Sequence, residues 1–198
     1  MAPNFKTGGQ DRAYVVFLDE TGLSLAPLLR RTWAKVGSRP FLTQKVGARQ
    51  KVSIIGALSF SPQKHQPNLF FQTLPNGTFN SEKVASFLRD LLKHLRGRVI
   101  VVWDNGPMHK GEAMRKLLKE YPRLSLEWLP PYAPELNPVE QLWSHLKYGH
   151  CANLIPEDLQ ELEDEAVEFL TEVKFQPDIL HSYLNETPLQ KSITAVAG

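Results

Sequence analysis

The chain reads as an α/β protein built on a mixed five-stranded sheet flanked by helices. Two observations predict this. Five apolar runs of strand length recur along the chain, two of them alternating with amphipathic helical segments. Three of the runs precede the first helix, a pattern that fits an antiparallel start followed by parallel strands.

Ala13–Leu18, AYVVFL, is a compact apolar run that reads as a buried strand ending at Asp19. Thr32–Leu42 and Lys51–Phe60 read as the second and third strands, separated by the Gly- and Lys-containing segment Lys45–Gln50. The later run, VSIIGALSF, is β-branched at its start, and Gly56 within it marks a bulge or close packing. Asn76-Gly77 is a turn signal. Asn80–Arg96 is the clearest helix, with Val84, Phe87, Leu88, Leu91, Leu92 and Leu95 on one face, Asn80 as N-cap and Gly97 just past the end. Val99–Trp103, VIVVW, is the fourth strand and ends at Asp104. A second helix over Gly111–Tyr121 and a short fifth strand over Leu124–Leu129 follow. The Pro-rich loop Pro130–Pro138 leads into a third helix carrying Val139, Leu142, Trp143 and Leu146. Pro156–Leu170 is a strongly acidic helix, and the chain from Phe175 onward carries no clear pattern.

Length suits one α/β domain, or one domain with a terminal extension. Hydrophobic residues make up 42% of the chain, enough for a sizeable core, so global disorder is not expected. Cys151 is the only cysteine, which excludes an internal disulfide and fits a reducing, intracellular setting. Met1–Gln10 is polar, with no apolar signal-peptide region, and Val99–Trp103 is far too short to span a bilayer. The net charge of +2 is divided unevenly. Residues 1–150 hold 21 of the 23 Lys and Arg against 11 Asp and Glu, a net +10; residues 151–198 hold 2 against 10, a net −8. The expected organisation is a catalytic domain over 1–150 and an acidic helical extension over 151–198. A basic body points toward a polyanionic partner.

Three carboxylates stand where chemistry is expected. Asp19 and Asp104 follow strands, and active sites of α/β sheets lie at the carboxyl ends of strands. Glu140 opens a helix. Carboxylates are the ligands that hard divalent cations prefer, and two such cations are a known device for cutting phosphodiesters. Each residue also has a plain structural reading. Asp19 suits a turn, and Asp104-Asn105-Gly106-Pro107 has turn composition. Asn137-Pro138-Val139-Glu140 reads as N-cap, N1 proline, N2 and N3 glutamate, close to a capping box. Glu20 and Glu135 are rivals for metal ligation. Glu20 faces away from Asp19 by strand alternation, and Glu135 sits in the proline loop without a helix to orient it.

The combination of FLDETG, TWAKVG, VVWDNGPMHK and LPPYAPELNPVEQLW resembles the transposases of the mariner superfamily, in particular their bacterial insertion-sequence relatives. The resemblance runs from about Val15 to Lys147, and its most specific part is the pattern LPPY-x-P-x-LNP-x-E-x-x-W. It implies an RNase H-like fold in which Asp19, Asp104 and Glu140 form the catalytic DDE triad and ligate two Mg²⁺ or Mn²⁺ ions. His109 and Asn105 are implied as accessory residues, and Trp33 as a structural tryptophan. Residues 105–139 separate the second aspartate from the glutamate, one residue more than relatives usually have, so the resemblance implies a one-residue insertion in that loop.

The implied reaction is metal-assisted hydrolysis of a DNA strand followed by attack of a 3′-hydroxyl on target DNA. The rival readings are an RNase H-like nuclease that cuts without joining, for which Glu20 or Asp90 would serve as a fourth carboxylate, and a degenerate domain that only binds DNA. Arg30, Arg31, Lys35, Arg39, Lys45, Arg49 and Lys51 are candidates for a phosphate track. The relatives normally carry an N-terminal helix-turn-helix region. Here the first catalytic strand lies almost at Met1, which leaves three readings open: the downstream frame of a split gene, a truncated copy, or a piece cut from a longer chain. The expected partner is DNA, with no membrane; a separate helix-turn-helix subunit belongs to the first of these readings, and a second copy of the chain is a further candidate partner. The expected location is the cytoplasm, at the bacterial nucleoid.

Overall fold

The computed structural model describes residues 13–26, 28–31, 33–38, 41, 50–62, 66–104, 106, 111–131 and 133–187. Five strands form one mixed sheet: β1 (Ala13–Ser24), β2 (Lys51–Phe60), β3 (Pro67–Pro75), β4 (Arg98–Trp103) and β5 (Leu124–Trp128). Their spatial order is β3-β2-β1-β4-β5. The pairs β1–β2 and β2–β3 are antiparallel, while β1–β4 and β4–β5 are parallel.

Five α-helices cover the two faces: α1 (Ser81–His94), α2 (Glu112–Glu120), α3 (Pro138–Ser144), α4 (Leu159–Lys174) and α5 (Pro177–Asn185). Side chains alternate along each strand, so the sheet builds two cores. Val16, Leu18, Ile55, Val99, Val101 and Trp103 pack with α1 and α2 through Leu88, Leu91, Leu92, Met114 and Leu117. Val15, Phe17, Ile54, Leu58 and Val102 pack on the other face with Val139, Leu142 and Trp143 of α3 and with residues of α4 and α5. Leu162, Ala166, Phe169, Leu170 and Val173 of the acidic helix are buried in that second core, with Leu159 packed against it. No described helix is long and apolar enough to cross a membrane.

The helix signals hold closely. Asn80 caps α1, its side chain accepting from Lys83 N at 3.0 Å, and Gly97 beyond the end has φ 98°. Asp158 caps α4, accepting from Glu161 N at 2.9 Å. The acidic helix starts and ends a few residues later than its composition suggests, and α5 follows in the stretch that carried no clear pattern.

Two strand expectations need correcting. Thr32–Leu42 is not a strand: its described residues 33–38 and 41 lie outside any strand. Ser38 N bonds Lys35 O at 2.9 Å, closing a turn at Val36-Gly37 in which Gly37 takes φ 85°. Trp33, Val36 and Phe41 face solvent, so these described apolar residues pack on no sheet, and Trp33 is not a core residue. The missing strand is β3, PNLFFQTLP, at the sheet edge. Edge strands tolerate the prolines that bound this segment, and its mostly half-buried side chains leave no clean alternation to read.

β1 also runs past its expected end at Leu18 to Ser24. The parallel pairing with β4 stops at Phe17, whereas the antiparallel pairing with β2 continues through Asp19 opposite Gly56. Asp19 therefore lies within β1, at the point where the sheet opens on the β4 side.

Candidate active site

Asp19, Asp104 and Glu140 line one cavity of about 590 Å³. Asp19 comes from the middle of β1. Asp104 directly follows β4, with one carboxylate oxygen accepting from Gly106 N at 3.4 Å. Glu140 stands in the first turn of α3. The opposite wall is Leu129, Pro130, Pro131, Ala133 and Pro134. Proline fixes φ at three of these positions, which narrows the conformations open to the loop. Leu129 N bonds Trp103 O at 2.8 Å, which ties the start of the loop to the strand that ends at Asp104.

The capping-box reading of Glu140 does not hold. Asn137 does cap α3, its Oδ1 accepting from Val139 N at 3.2 Å. Its backbone N–H, which a capping box would give to the Glu140 carboxylate, is instead bonded to Pro134 O at 2.9 Å. The Glu140 side chain is thereby released toward the cavity. The same asparagine donates from Nδ2 to Leu18 O at 3.2 Å, fastening the helix start to β1. One helical turn beyond Glu140, the indole Nε1–H of Trp143 donates to Asp19 Oδ2 at 2.8 Å.

The electrostatics are those of crowded acids. Burial, and then the neighbouring Glu140 carboxylate, push Asp19 up to about 8; the Trp143 hydrogen bond opposes part of this rise. Glu20 is pushed up to about 7 by burial and by Asp104. Its Oε1 is buried with no hydrogen-bond partner among the described residues. Strand alternation puts Glu20 on the Leu18 side of the sheet, and it does not line the cavity. Even so, its charge helps to raise Asp19. Among the described residues no three His, Cys, Asp or Glu side chains are already drawn into a metal-binding cluster. Hard oxygen donors facing one cavity, with a buried aspartate unwilling to ionise beside a second carboxylate, are nevertheless what a divalent cation would relieve. The residues fit the metal.

Glu135 lies exposed in the turn Pro134–Leu136. Asp90 is exposed and paired with Lys93, with no part in the cavity. His109 and Asn105 fall outside the described residues, as do Arg39, Lys45 and Arg49. Arg31, Lys35 and Lys51 are exposed. Arg30 has a structural use: its guanidinium lies 5.0 Å from the Tyr148 ring centroid and donates to Tyr148 O at 3.2 Å. Sequence reasoning missed the contacts of Trp143 and Asn137, because a helix-face tryptophan and a helix cap both have sufficient local explanations. The one signal was Gly56, flagged for close packing. A Cβ there would lie 2.6 Å from the Trp143 ring.

Fold and site together define an α/β domain with an acidic cavity where its central strands part. A family model described as DDE superfamily endonuclease matches residues 14–163, and the chain belongs to this family. The insertion element IS630 uncharacterized 39 kDa protein of Shigella sonnei is 28% identical over 138 residues, covering 67% of this chain and 37% of the relative. Among solved structures, the Mos1 transposase paired-end complex with left transposon end aligns with a TM-score of 0.64 at 18% identity, covering 93% of this chain and 55% of that one. The Mos1 mariner paired-end complex with Mn gives 0.63 and 18%, covering 93% and 56%. The fold is RNase H-like, shared with these transposases. The chain spans little more than half the length of these two solved proteins, and 37% of the curated relative.

Proposed function

We propose that this chain carries the catalytic domain of a DNA transposase, cutting DNA strands and joining the freed ends to target DNA. The observation that carries the reading is the facing of Asp19, Asp104 and Glu140 into one cavity from three separate elements. Membership of the DDE endonuclease family supports it, as does the likeness to an insertion-element protein and to a transposase solved with a transposon end and with manganese.

In this reading the three carboxylates hold Mg²⁺ or Mn²⁺, two ions per site. When bound, such ions activate an attacking oxygen and stabilise the departing one. Asp19, held in β1, and Glu140, held at the start of α3, supply charge from the two walls of the cavity. Asp104 supplies it from the end of β4. Hydrolysis adds water across a phosphodiester and leaves a 3′-hydroxyl. That hydroxyl then attacks a target phosphodiester, displacing the target's own 3′-oxygen. Residues 1–150 form the catalytic unit and 151–198 the acidic extension. DNA is the partner, with Arg31, Lys35 and Lys51 among its phosphate contacts. A helix-turn-helix subunit supplies recognition of the element ends, a second copy of the chain completes the assembly, and the work is done at the nucleoid.

The test is incubation of the chain with Mn²⁺, a supercoiled plasmid and a labelled duplex ending in the element's terminal repeat. Label joined covalently to plasmid, and abolished by EDTA, is the expected result. Nicking without joining would favour a plain nuclease. Binding without any metal-dependent cutting would favour a degenerate domain.

A further inference from the structure

Asp19 is held from a direction that the triad alone does not explain. Its register partner across the sheet is Gly56, and the place where a side chain at that position would sit is filled by the Trp143 ring. An added Cβ would lie 2.6 Å from Cη2 and 2.9 Å from Cζ2 of the indole, closer than real atoms approach. The ring is buried at 2% exposure, packed beside Val139 and Leu142, so it has no space to swing aside. From this seat its Nε1–H reaches Asp19 Oδ2 at 2.8 Å. Indole is a donor only and has a single N–H, so the bond has one direction and no alternative tautomer.

Trp143 also stands three residues after Glu140, on the same side of α3. Asn137, three residues before Glu140, donates to Leu18 O. The helix is thus pinned to two consecutive residues of β1, Leu18 and Asp19, from both sides of the glutamate. A carboxylate offers about four acceptor positions. The indole occupies one of them, leaving others for a cation.

We propose that Trp143 is a positioning residue for Asp19. Its indole N–H fixes the orientation of the carboxylate and its separation from Glu140, and position 56 is glycine because the ring occupies the space a side chain would take. This rests on reading Asp19 as a metal-holding carboxylate. Partners that orient metal ligands typically change metal affinity by about 10–100-fold when removed.

The test is titration of the full chain with Mn²⁺ alone, without DNA, following free Mn²⁺ by its electron paramagnetic resonance signal, with thermal unfolding of each metal-free variant alongside. Asp19→Asn defines the site-specific part of the binding. Trp143→Phe removes the donor. Because the smaller ring can also loosen the core, a second variant carries benzothienylalanine at position 143, which keeps the bicyclic shape and replaces N–H by sulfur. The expected result is that the isostere unfolds near the temperature of the unaltered chain while its Asp19-dependent Mn²⁺ affinity falls about 10–100-fold. Gly56→Ala, which displaces the ring, should weaken Mn²⁺ in the same direction. Unaltered Mn²⁺ affinity in the isostere, with Asp19→Asn still abolishing binding, overturns the positioning role alone. No Asp19-dependent Mn²⁺ binding in the unaltered chain overturns the reading beneath it.

Discussion

Asp19 is a buried acid whose ionised form the fold disfavours, chiefly through burial and then through the charge of Glu140. In the unfolded chain an aspartate titrates near pH ~4. Below that both states hold the proton and the residue contributes no penalty. As pH rises from about 4 toward the folded value of about 8, only the unfolded state releases the proton freely, so the folded state loses stability across this window; above it the loss is complete and constant. Glu20, pushed up to about 7, adds a loss of the same sign over a narrower range. Asp19→Asn removes the larger part. The expected outcome, read by thermal unfolding without metal, is a mutant whose advantage over the unaltered chain grows between about pH 5 and about pH 8. A gap independent of pH would contradict the burial of this charge. At this scale the sequence was informative about residue type and poor on contacts. Asp104 and Glu140 are visible because they follow and open an element; Asp19 is visible because it ends an apolar run, although β1 continues past it to Ser24. The bond from Trp143 to Asp19 spans 124 residues and depends on the depth at which α3 settles over Gly56, which no local pattern records.

At the scale of elements, α3 is the part that brings Glu140 to the cavity and Trp143 to Asp19. Its seven α-helical residues run directly into a π-helix over His145–His150, and a helix of this length is held mainly by what its face buries. Its place is set by Pro138 at N1, by the Asn137 cap, by burial of Val139, Leu142 and Trp143, and by the two bonds to β1. Asn137→Ala removes the cap acceptor for Val139 and the donor to Leu18. A loss of about 1–2 kcal/mol in denaturant unfolding is expected, together with slower metal-dependent nicking because Glu140 loses its anchor. Asn80→Ala at α1 is the matched control. It should lose about 1 kcal/mol of stability and nick at the unaltered rate, since α1 packs on the face of the sheet away from α3. Equal effects of the two caps on nicking would show that α3 has no special role. The helices were legible through their caps and apolar stripes, and the central strands through their unbroken apolar runs. β3 was not, because an edge strand with mostly half-buried side chains shows neither alternation nor a continuous run. Thr32–Leu42 misled for the converse reason. Its β-branched and aromatic residues have strand propensity, but Gly37 turns the chain and leaves Trp33 and Phe41 in solvent.

Over the whole molecule, charge and chemistry are arranged separately. Residues 1–150 carry a net +10 although the cavity among them is lined by acids, while α4 turns its buried leucines to the core and leaves Glu161, Asp164 and Glu168 exposed. Affinity for DNA from such a body comes mainly from counterion release. Binding of the chain to duplex DNA should weaken steeply with added salt and depend little on sequence; tight, sequence-selective binding that persists at high salt would contradict this. The central claim is that three carboxylates from β1, the end of β4 and α3 act as one metal site. Glu140→Gln tests it most directly, because glutamine preserves the side-chain shape and removes the negative charge that a hard cation requires. The Asn137 N–H is already bonded to Pro134 O, so the substitution breaks no cap and the metal-free chain should unfold at the same temperature or higher. The measurement is the Mn²⁺-dependent rate of nicking of supercoiled DNA by Glu140→Gln relative to the unaltered chain. A fall of orders of magnitude is the predicted result, and nicking at the unaltered rate would contradict the account.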